Sequence, residues 1–280
     1  IMAESKFRRY FKDTILYIIL ISGGVIFLIP LFWMISTSLK TSAQIFKYPI
    51  EWIPDPVVWK NYLDAFTAIP FLRYIGNTVF IAFTSIVGDI LTCSLVAYSF
   101  ARLRYPGRDF LFLLMLSTLM IPSSVTMIPQ FLLYKSFGLI DTYVPLILPA
   151  YVGYPIWIFL IRQFFMTVPF EYDDAAKIDG CGYLATYWRI LLPQIRPALI
   201  AVAIFSFMSH WNNFMGPLIY LNSQEKYTLA LGLRLFQGLY VTKWELVMAA
   251  STIALIPPTV IFFLAQKYFI QGVVITGLKG

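Results

Sequence analysis

The sequence has very little charge. Charged residues make up 12% of the chain and apolar residues make up 59%. A soluble globular protein has about 25% charged residues and about 45–50% apolar residues. Because so little charge cannot cover the water-facing surface of a chain of 280 residues, the composition excludes an ordinary soluble domain. Most of the chain is expected to face lipid or other apolar helices.

Residues that support chemistry are also scarce. The two cysteines, Cys93 and Cys181, do not indicate a disulfide framework. The single histidine, His210, cannot form a histidine-rich metal site, and we expect it to be packed or interfacial rather than catalytic. The sequence contains neither G-x-x-x-x-G-K-S/T nor G-x-G-x-x-G, so the chain does not bind ATP through a P-loop of its own. We expect no enzymatic activity and no metal site.

Several uncharged runs are long enough to cross a membrane. A bilayer core of about 30 Å requires roughly 20 apolar residues in a helix. The first run is too long for the apolar part of a signal peptide, so we expect a retained helix, and one acid, Asp89, interrupts the second. The predicted fold class is an all-α membrane protein, a single domain over residues 1–280. Its six predicted spans are residues 14–38, 73–101, 110–134, 143–165, 197–220 and 245–268.

The distribution of Lys and Arg predicts the orientation, because cytoplasmic loops of membrane proteins carry an excess of these residues. With both termini in the cytoplasm, 13 of the 21 Lys and Arg residues fall on the cytoplasmic side. This topology also explains the net charge of +7, so that charge does not indicate nucleic-acid binding.

Residues 169–193, between the fourth and fifth predicted spans, are the most polar part of the chain and lie on the cytoplasmic side in this topology. Pro169 suits the first position of a short helix, and Gly180 suits a left-handed helix end. The acids that suit the N-terminal turn of this helix are Glu171, Asp173 and Asp174.

Two adjacent alanines, Ala175 and Ala176, would let a partner surface approach the backbone of this helix closely. One interpretation is therefore a docking element for another protein. The other is an amphipathic helix on the membrane surface, although several acids suit an anionic leaflet poorly.

The same segment resembles the signature of ABC importer permeases, which reads E-A-A, three residues, G, nine residues, I-x-L-P. Here residues 174–176 are Asp-Ala-Ala, Gly180 follows after three residues, and residues 190–193 are Ile-Leu-Leu-Pro after nine more. Asp174 stands where the family usually has Glu, so we expect a salt bridge there to be weaker, or to be made by Asp173 or Glu171. Other stretches resemble the carbohydrate-uptake branch, similar to the smaller permease subunit of the maltose transporter: residues 77–78, 97–102, 104–108, 211–214 and 277–280.

The resemblance implies a division of labour among subunits in a bacterial cytoplasmic membrane. Such a permease forms half of a translocation path beside a second permease, usually a related but different chain, and is surrounded by membrane lipid. Two ATPase subunits and an extracytoplasmic solute-binding protein complete the importer. ATP and Mg²⁺ would bind the partner ATPase, and this chain would bind no cofactor. The residues implied for coupling to the ATPase are Glu171, Asp174, Ala175, Ala176, Gly180, Lys279 and Gly280.

Polar residues inside the predicted spans are candidates for a substrate path. An acid such as Asp89 costs about 2.5–3.5 kcal/mol in the bilayer. It is therefore either functional or held by a structural partner, for which Thr92, Ser85 and the second permease are candidates. Side-chain amides bind sugar hydroxyls or join helices, and aromatic rings pack on a sugar or against lipid. The candidates for the substrate path are Asn77, Asp89, Gln130, Tyr154, Asn212 and Asn213.

Three functions remain open at this point. The first is the permease subunit of an ATP-driven, binding-protein-dependent importer of an oligosaccharide or another sugar derivative, which the signature favours. The second is a secondary transporter that uses Asp89 for proton coupling and needs no ATPase. The third is a structural membrane subunit or assembly factor without transport activity.

Overall fold

The computed structural model describes residues 6–238 and 242–277, with side chains over residues 10–238 and 242–266. Within these ranges the regular structure is helical, apart from one isolated antiparallel bridge between Gln237 and Thr242. The α-helices are α1 (Lys6–Ser38), α2 (Ser42–Ile45), α3 (Lys60–Ala68), α4 (Phe71–Arg102), α5 (Arg108–Ser117), α6 (Ser123–Ser136), α7 (Val144–Val152), α8 (Pro155–Thr167), α9 (Glu171–Ile178), α10 (Tyr183–Ala185), α11 (Leu192–Gln194), α12 (Arg196–Trp211), α13 (Met215–Tyr220), α14 (Leu229–Gly232) and α15 (Trp244–Gly277). Shorter helical turns are the 3₁₀-helices Thr118–Met120, Gln224–Lys226 and Leu233–Phe236 and the π-helix Thr186–Leu191.

Four helical segments of the described chain are long and apolar enough to cross a membrane. They are Tyr10–Ser38, Phe71–Arg102, Val144–Thr167 and Trp244–Gln266. The third contains both α7 and α8, which are separated at Gly153, where φ is +99°. The number rises to six if each of two bent helix pairs is one span. The expectation of an all-α membrane protein is confirmed, with four to six candidate spans.

Both bent pairs have a proline at the break. Arg108–Met120 and Ser123–Ser136 meet at 97°, with Pro122 directly before the second helix. Tyr183–Gln194 and Arg196–Trp211 meet at 81°, with proline in the first turn of α12. Proline lacks a backbone N–H and its ring clashes with the preceding turn, so a helix rarely continues straight through it.

The predicted span 197–220 does not form one continuous helix. The helix α12 ends at Trp211, and α13 begins only at Met215. The uncharged run of sequence predicted the length of this region but not the break, because hydropathy measures composition and does not report backbone geometry.

One compact unit comprises residues 1–69 and 235–255. In this unit α1 exposes its apolar side chains between Tyr10 and Pro30, so this part of the helix requires lipid or another chain around it. The chain after α1 is fixed by polar contacts: the side-chain amide of Asn61 donates to the carbonyls of Ser38 and Lys40 at 2.9 and 2.8 Å. The ammonium of Lys40 lies 4.1 Å from the centre of the Trp33 ring, and burial lowers the pKa of Lys40.

The second unit comprises residues 70–234 and 256–280 and is built around α4, which packs against α7, α8 and α12. Its core contains Ala97 and Ala101 of α4 together with Phe165 and Val202 of the neighbouring helices. Small residues allow helices in a membrane to approach closely. Gly88 is such a position, because a Cβ atom there would lie 2.7 Å from the Tyr151 ring.

Candidate functional site

The predicted docking helix is α9, Glu171–Ile178, in the connection between α8 and α12. Its first turn contains three acids, which the helix dipole stabilises at this end. The backbone leaves the helix through Gly180 with φ of +77°, and the N–H of Cys181 donates to the carbonyl of Ala176 at 2.8 Å. The left-handed helix end was therefore predicted correctly. The predicted start was wrong, because the helix begins at Glu171 and Pro169 lies before it.

The two adjacent alanines of α9 have different surroundings. Ala175 is exposed, whereas Ala176 is 1% exposed and packs within the chain. Successive residues of a helix point about 100° apart, so neighbouring side chains lie on different faces. Of the two alanines, only Ala175 is therefore accessible to a partner, and the small size of Ala176 serves the packing of the chain itself.

Asp174 and Glu171 point away from the bundle. The Asp174 side chain is 70% exposed, and its carboxylate lies 3.3 Å from the ammonium of Lys177, which is exposed as well. An exposed ion pair of this kind contributes at most about 1 kcal/mol. Asp174 can therefore exchange Lys177 for a cation of a partner at little cost. Glu171 is also exposed and available for such a contact.

The third acid, Asp173, faces the bundle instead. Its Oδ2 lies 3.4 Å from Nη1 of Arg102, the last residue of α4, and the side chains of Arg102 and Asp173 are 1% and 12% exposed. Arg102 also donates from Nη2 to the carbonyl of Val168 at 2.6 Å, and its guanidinium lies over the Phe170 ring, 4.5 Å from the ring centre. Burial raises the pKa of Asp173, and the Arg102 guanidinium opposes that rise.

The chain after α9 is attached to α4 as well. The hydroxyl of Tyr98 donates to the carbonyl of Tyr183 at 3.2 Å, and the hydroxyls of Ser94 and Tyr187 are 2.7 Å apart. Tyr187 is buried, with its ring centre 5.3 Å from that of Tyr98. The chain on both sides of α9 therefore contacts the same helix, α4.

A cleft of about 850 Å³ lies between this segment and the end of α4. Its lining includes Tyr98, Arg102, Phe170, Asp174, Lys177 and Thr186. The exposed charges Asp174 and Lys177 of α9 thus border a concave surface.

Asp89 is fully buried in the middle of α4. Ser206 of α12 donates to its Oδ2 at 2.6 Å, and Nε2 of His210 lies 3.6 Å from the same oxygen. A structural partner was one of the two alternatives for Asp89, and the bundle provides one, but it is neither Thr92 nor Ser85. Thr92 donates to a carbonyl of α7 at 3.2 Å, and the hydroxyl of Ser85 has no hydrogen-bond partner within the described part of the chain. His210 is packed in the bundle, as predicted.

The other candidates for a substrate path do not form one cluster of free side chains. The amides of Asn77 and Asn212 donate to backbone carbonyls within 2.9 Å, and Oδ1 of Asn213 accepts a backbone N–H at 3.0 Å. Gln130 is exposed on α6, and Tyr154 is partly buried directly before α8. The three asparagines thus serve the fold, and contact of these residues with a substrate stays a prediction.

A polar cluster around Asp141 was not predicted from the sequence. The carboxylate of Asp141 accepts hydrogen bonds from the Ser223 hydroxyl at 2.5 Å and from the backbone N–H groups of Asn222 and Ser223 at 3.0 and 2.9 Å. The ammonium of Lys226 lies 2.9 Å from the same carboxylate. These hydrogen bonds, that of the Ser223 hydroxyl first, hold the pKa of Asp141 well below its usual range. The sequence shows Asp141 in one loop and the pair Asn222 and Ser223 in another. Only the tertiary fold brings the two loops together, so the sequence could not predict this contact.

Arg102 was also not predicted as a site residue, although it ends the stretch 97–102 that resembles the carbohydrate-uptake branch. Arg102 directly follows the predicted span 73–101, and this position could have indicated that its side chain reaches the segment 169–193. Lys279 and Gly280, which were implied for coupling, lie outside the described residues.

The class of the protein follows from comparison with known families. The family model described as "Binding-protein-dependent transport system inner membrane component" matches residues 1–275, so the chain belongs to this family. It is a multi-pass membrane protein and the permease subunit of an ABC importer, not an enzyme. The family indicated by the resemblance around Asp174 is thereby confirmed.

Curated relatives support the same assignment over nearly the whole chain. The arabinooligosaccharides transport system permease protein AraQ of Halalkalibacterium halodurans is 37% identical over 254 residues, which cover 90% of this chain and 91% of the relative. The sn-glycerol-3-phosphate transport system permease protein UgpE of Yersinia pestis is 33% identical over 270 residues, which cover 94% of this chain and 96% of the relative.

Solved structures have the same fold. A chain of a bacterial ABC transporter involved in the import of the acidic polysaccharide alginate matches with a TM-score of 0.82 and 22% identity, over 96% of this chain and all of the other. A chain of the MetNI methionine ABC transporter matches with a TM-score of 0.53 and 14% identity, over 72% of this chain and 95% of the other.

Proposed function

We propose that this chain is the membrane-spanning subunit of an ATP-driven importer of sugars or sugar derivatives in a bacterial cytoplasmic membrane. In this proposal the chain is one transmembrane domain with six spans, each bent helix pair counting as one, and both termini are cytoplasmic. The chain hydrolyses nothing itself. It changes between inward-facing and outward-facing packings as its partners bind and hydrolyse ATP.

The main support is the arrangement of α9. It presents one exposed small residue, Ala175, beside the exposed acids Glu171 and Asp174, and it is fixed to its own bundle on the other side through Asp173. A helix with one side anchored and the other exposed is suited to receive a partner and to transmit the partner's movement. The family to which the chain belongs works with such partners.

The proposed partners are a second permease, two ATPase subunits and an extracytoplasmic solute-binding protein. The second permease is expected to be a related but different chain. ATP and Mg²⁺ bind the ATPase subunits, and α9 docks on one of them together with the tail that contains Lys279 and Gly280. The exposed apolar surface of α1 would be covered by this second permease or by lipid.

The proposed substrate class rests on the relatives. One relative is described as a permease for arabinooligosaccharides, and another as a permease for sn-glycerol-3-phosphate. A neutral oligosaccharide and a phosphorylated polyol have hydroxyl groups in common. We therefore propose a polyhydroxylated solute, either a saccharide or a phosphorylated derivative.

The test is purification of the tagged chain from its native membrane in mild detergent, followed by identification of every subunit that accompanies it. We expect a second permease and an ATPase with a P-loop, and we expect that the purified complex takes up solute into liposomes only with ATP and the binding protein. Uptake by the chain alone, driven by a proton gradient, would overturn the proposal. That result would place Asp89 at the centre of the mechanism.

A further inference from the structure

One stripe of α4 makes the described side-chain hydrogen bonds and the ion pair between this helix and the segment around α9. Ser94, Tyr98 and Arg102 follow one another at intervals of four residues and therefore lie on the same face of α4. Ser94 and Tyr98 bind the part of the segment after α9. Arg102 binds the part before it and the first turn of α9 itself.

Arg102 makes three different contacts within six residues of the segment. Its Nη2 donates to the carbonyl of Val168, its Nη1 lies 3.4 Å from Oδ2 of Asp173, and its guanidinium plane covers the Phe170 ring. A planar guanidinium with several donors fixes orientation as well as distance, which a lysine ammonium does not. These contacts fix the start of α9 relative to the end of α4.

We propose that Arg102 and Asp173 are positioning residues that fasten α9 to α4, so that a displacement of α9 is delivered directly to the central helix of the bundle. This inference rests on the proposed function, because it assumes that a partner ATPase moves α9. The inference adds to the proposed function that displacement of α9 is transmitted to α4 through the pair of Arg102 and Asp173.

The covalent connections of α9 are poorly suited to transmit the movement alone. After α9 the chain passes through residues 179–182, which are not helical and contain the glycines Gly180 and Gly182. Before it, residues 168–170 are not helical either. The ion pair instead joins α9 to α4, the helix that packs against α7, α8 and α12. A displacement of the end of α4 is therefore passed to all three of these helices, because each packs against α4.

The pair is also placed where it is protected from water. With 1% and 12% exposure of the two side chains, the attraction between Arg102 and Asp173 is screened far less than that of the exposed pair between Asp174 and Lys177. The two adjacent acids of α9 therefore differ in function: Asp173 belongs to the connection within the chain, and Asp174 remains available to a partner.

The experiment uses the complete complex reconstituted in liposomes, with solute uptake and ATP hydrolysis measured on the same samples. Asp173→Asn keeps the shape of the side chain and removes its charge. We expect uptake per ATP hydrolysed to fall about tenfold, while the ATPase remains bound and hydrolyses ATP. The matched control is Asp109→Asn, which removes an exposed carboxylate paired with Arg108 at 2.9 Å and should leave uptake per ATP unchanged.

A second variant distinguishes loss of the connection between α9 and α4 from a general loss of the folded structure. Arg102→Cys with Asp173→Cys, in a chain that also has Cys181→Ser, is treated with a short bifunctional methanethiosulfonate that reductant can cleave. We expect poor coupling before treatment, restored coupling after cross-linking, and loss again on reduction. Wild-type uptake per ATP in Asp173→Asn would overturn the inference, and so would a loss that the cross-link does not restore. If the wild-type complex shows no ATP-dependent uptake, the proposed function itself fails, which is a distinct result.

Discussion

The two alanines of α9 allow a direct test of the docking surface, because they are adjacent in sequence but only one is exposed. We compare Ala175→Leu with Ala176→Leu, two variants that add the same side-chain atoms on different faces of one helix. Ala175 is exposed and Ala176 is 1% exposed. The structure therefore predicts that the first change disturbs the partner and the second disturbs the chain.

The expected magnitudes follow from this difference in burial. Extra methylene groups in a packed site cost about 1–3 kcal/mol, so Ala176→Leu should lower the thermal stability of the purified permease. A surface change away from special features alters stability by about 0.5 kcal/mol or less, so Ala175→Leu should melt like the wild type. At a close interface the same leucine should weaken ATPase binding about tenfold, which corresponds to about 1.4 kcal/mol.

The assay combines thermal melting of the permease alone with the amount of ATPase that co-purifies with it. Ala43→Leu, at an exposed position of α2, is the control for adding a leucine to a helix surface outside the segment 169–193. Undiminished ATPase binding and ATP-driven uptake in Ala175→Leu would refute the docking surface. A double variant at both positions would not test it, because the buried change alone can reduce transport.

Four further predictions concern single residues. Ser206→Ala removes the hydroxyl that donates to Asp89 at 2.6 Å, so unfolding stability in detergent should fall by about 1–3 kcal/mol; stability equal to the wild type would contradict this. A protonophore should not reduce ATP-driven uptake by the wild type or by Asp89→Asn. If it abolishes uptake by the wild type, and Asp89→Asn removes this gradient-driven uptake, the secondary transporter is favoured. Because hydrogen bonds lower the pKa of Asp141, its contribution to stability is present above the unfolded pKa of about 4 and is lost only as the pH falls through the lower folded pKa. Hydrogen exchange should therefore show similar protection of residues 222–226, after correction for intrinsic rates, from about pH 5 to 8, and Asp141→Asn should reduce that protection throughout. Gly180→Ala forces a side chain into a φ of +77° and should cost about 1–2 kcal/mol, whereas Gly182→Ala, at φ of −74° with open space around its Cβ position, should cost much less; equal effects would refute the strain argument.

The sequence predicted the features that depend on local order. Uncharged length indicated the membrane helices, the acids and Gly180 indicated the bounds of a short helix to within a few residues, and the spacing from Asp174 to Pro193 indicated the family. Pro169 was misplaced because proline suits several positions near a helix start. The break after Trp211 was missed because the residues that form it, an Asn pair and Phe214, are compatible with both a helix and a turn.

The contacts between distant parts of the chain could not be predicted in this way. Ser206 and Asp89 are 117 residues apart, and so their hydrogen bond exists only because α12 packs against α4. Thr92 and Ser85 were chosen as partners because they are near Asp89 in sequence. A residue three or four positions away on a helix lies near the acid, but the packing of another helix decides which hydroxyl points at it.

The departure of Asp174 from the usual Glu is best understood together with its neighbour. Asp173 and Asp174 occupy successive positions of α9 and so point about 100° apart. One is buried against Arg102, and the other is exposed beside Lys177. Had Asp173 also faced outward, it could have compensated for the shorter reach of Asp174, as the sequence suggested. Since it is already paired inside the bundle, the contact with a partner depends on Asp174 and the exposed Glu171. If α9 docks on an ATPase as proposed, that ATPase must therefore either approach α9 more closely than one that meets a glutamate, or meet Glu171 one turn earlier. The exposed Ala175 beside Asp174 permits the closer approach.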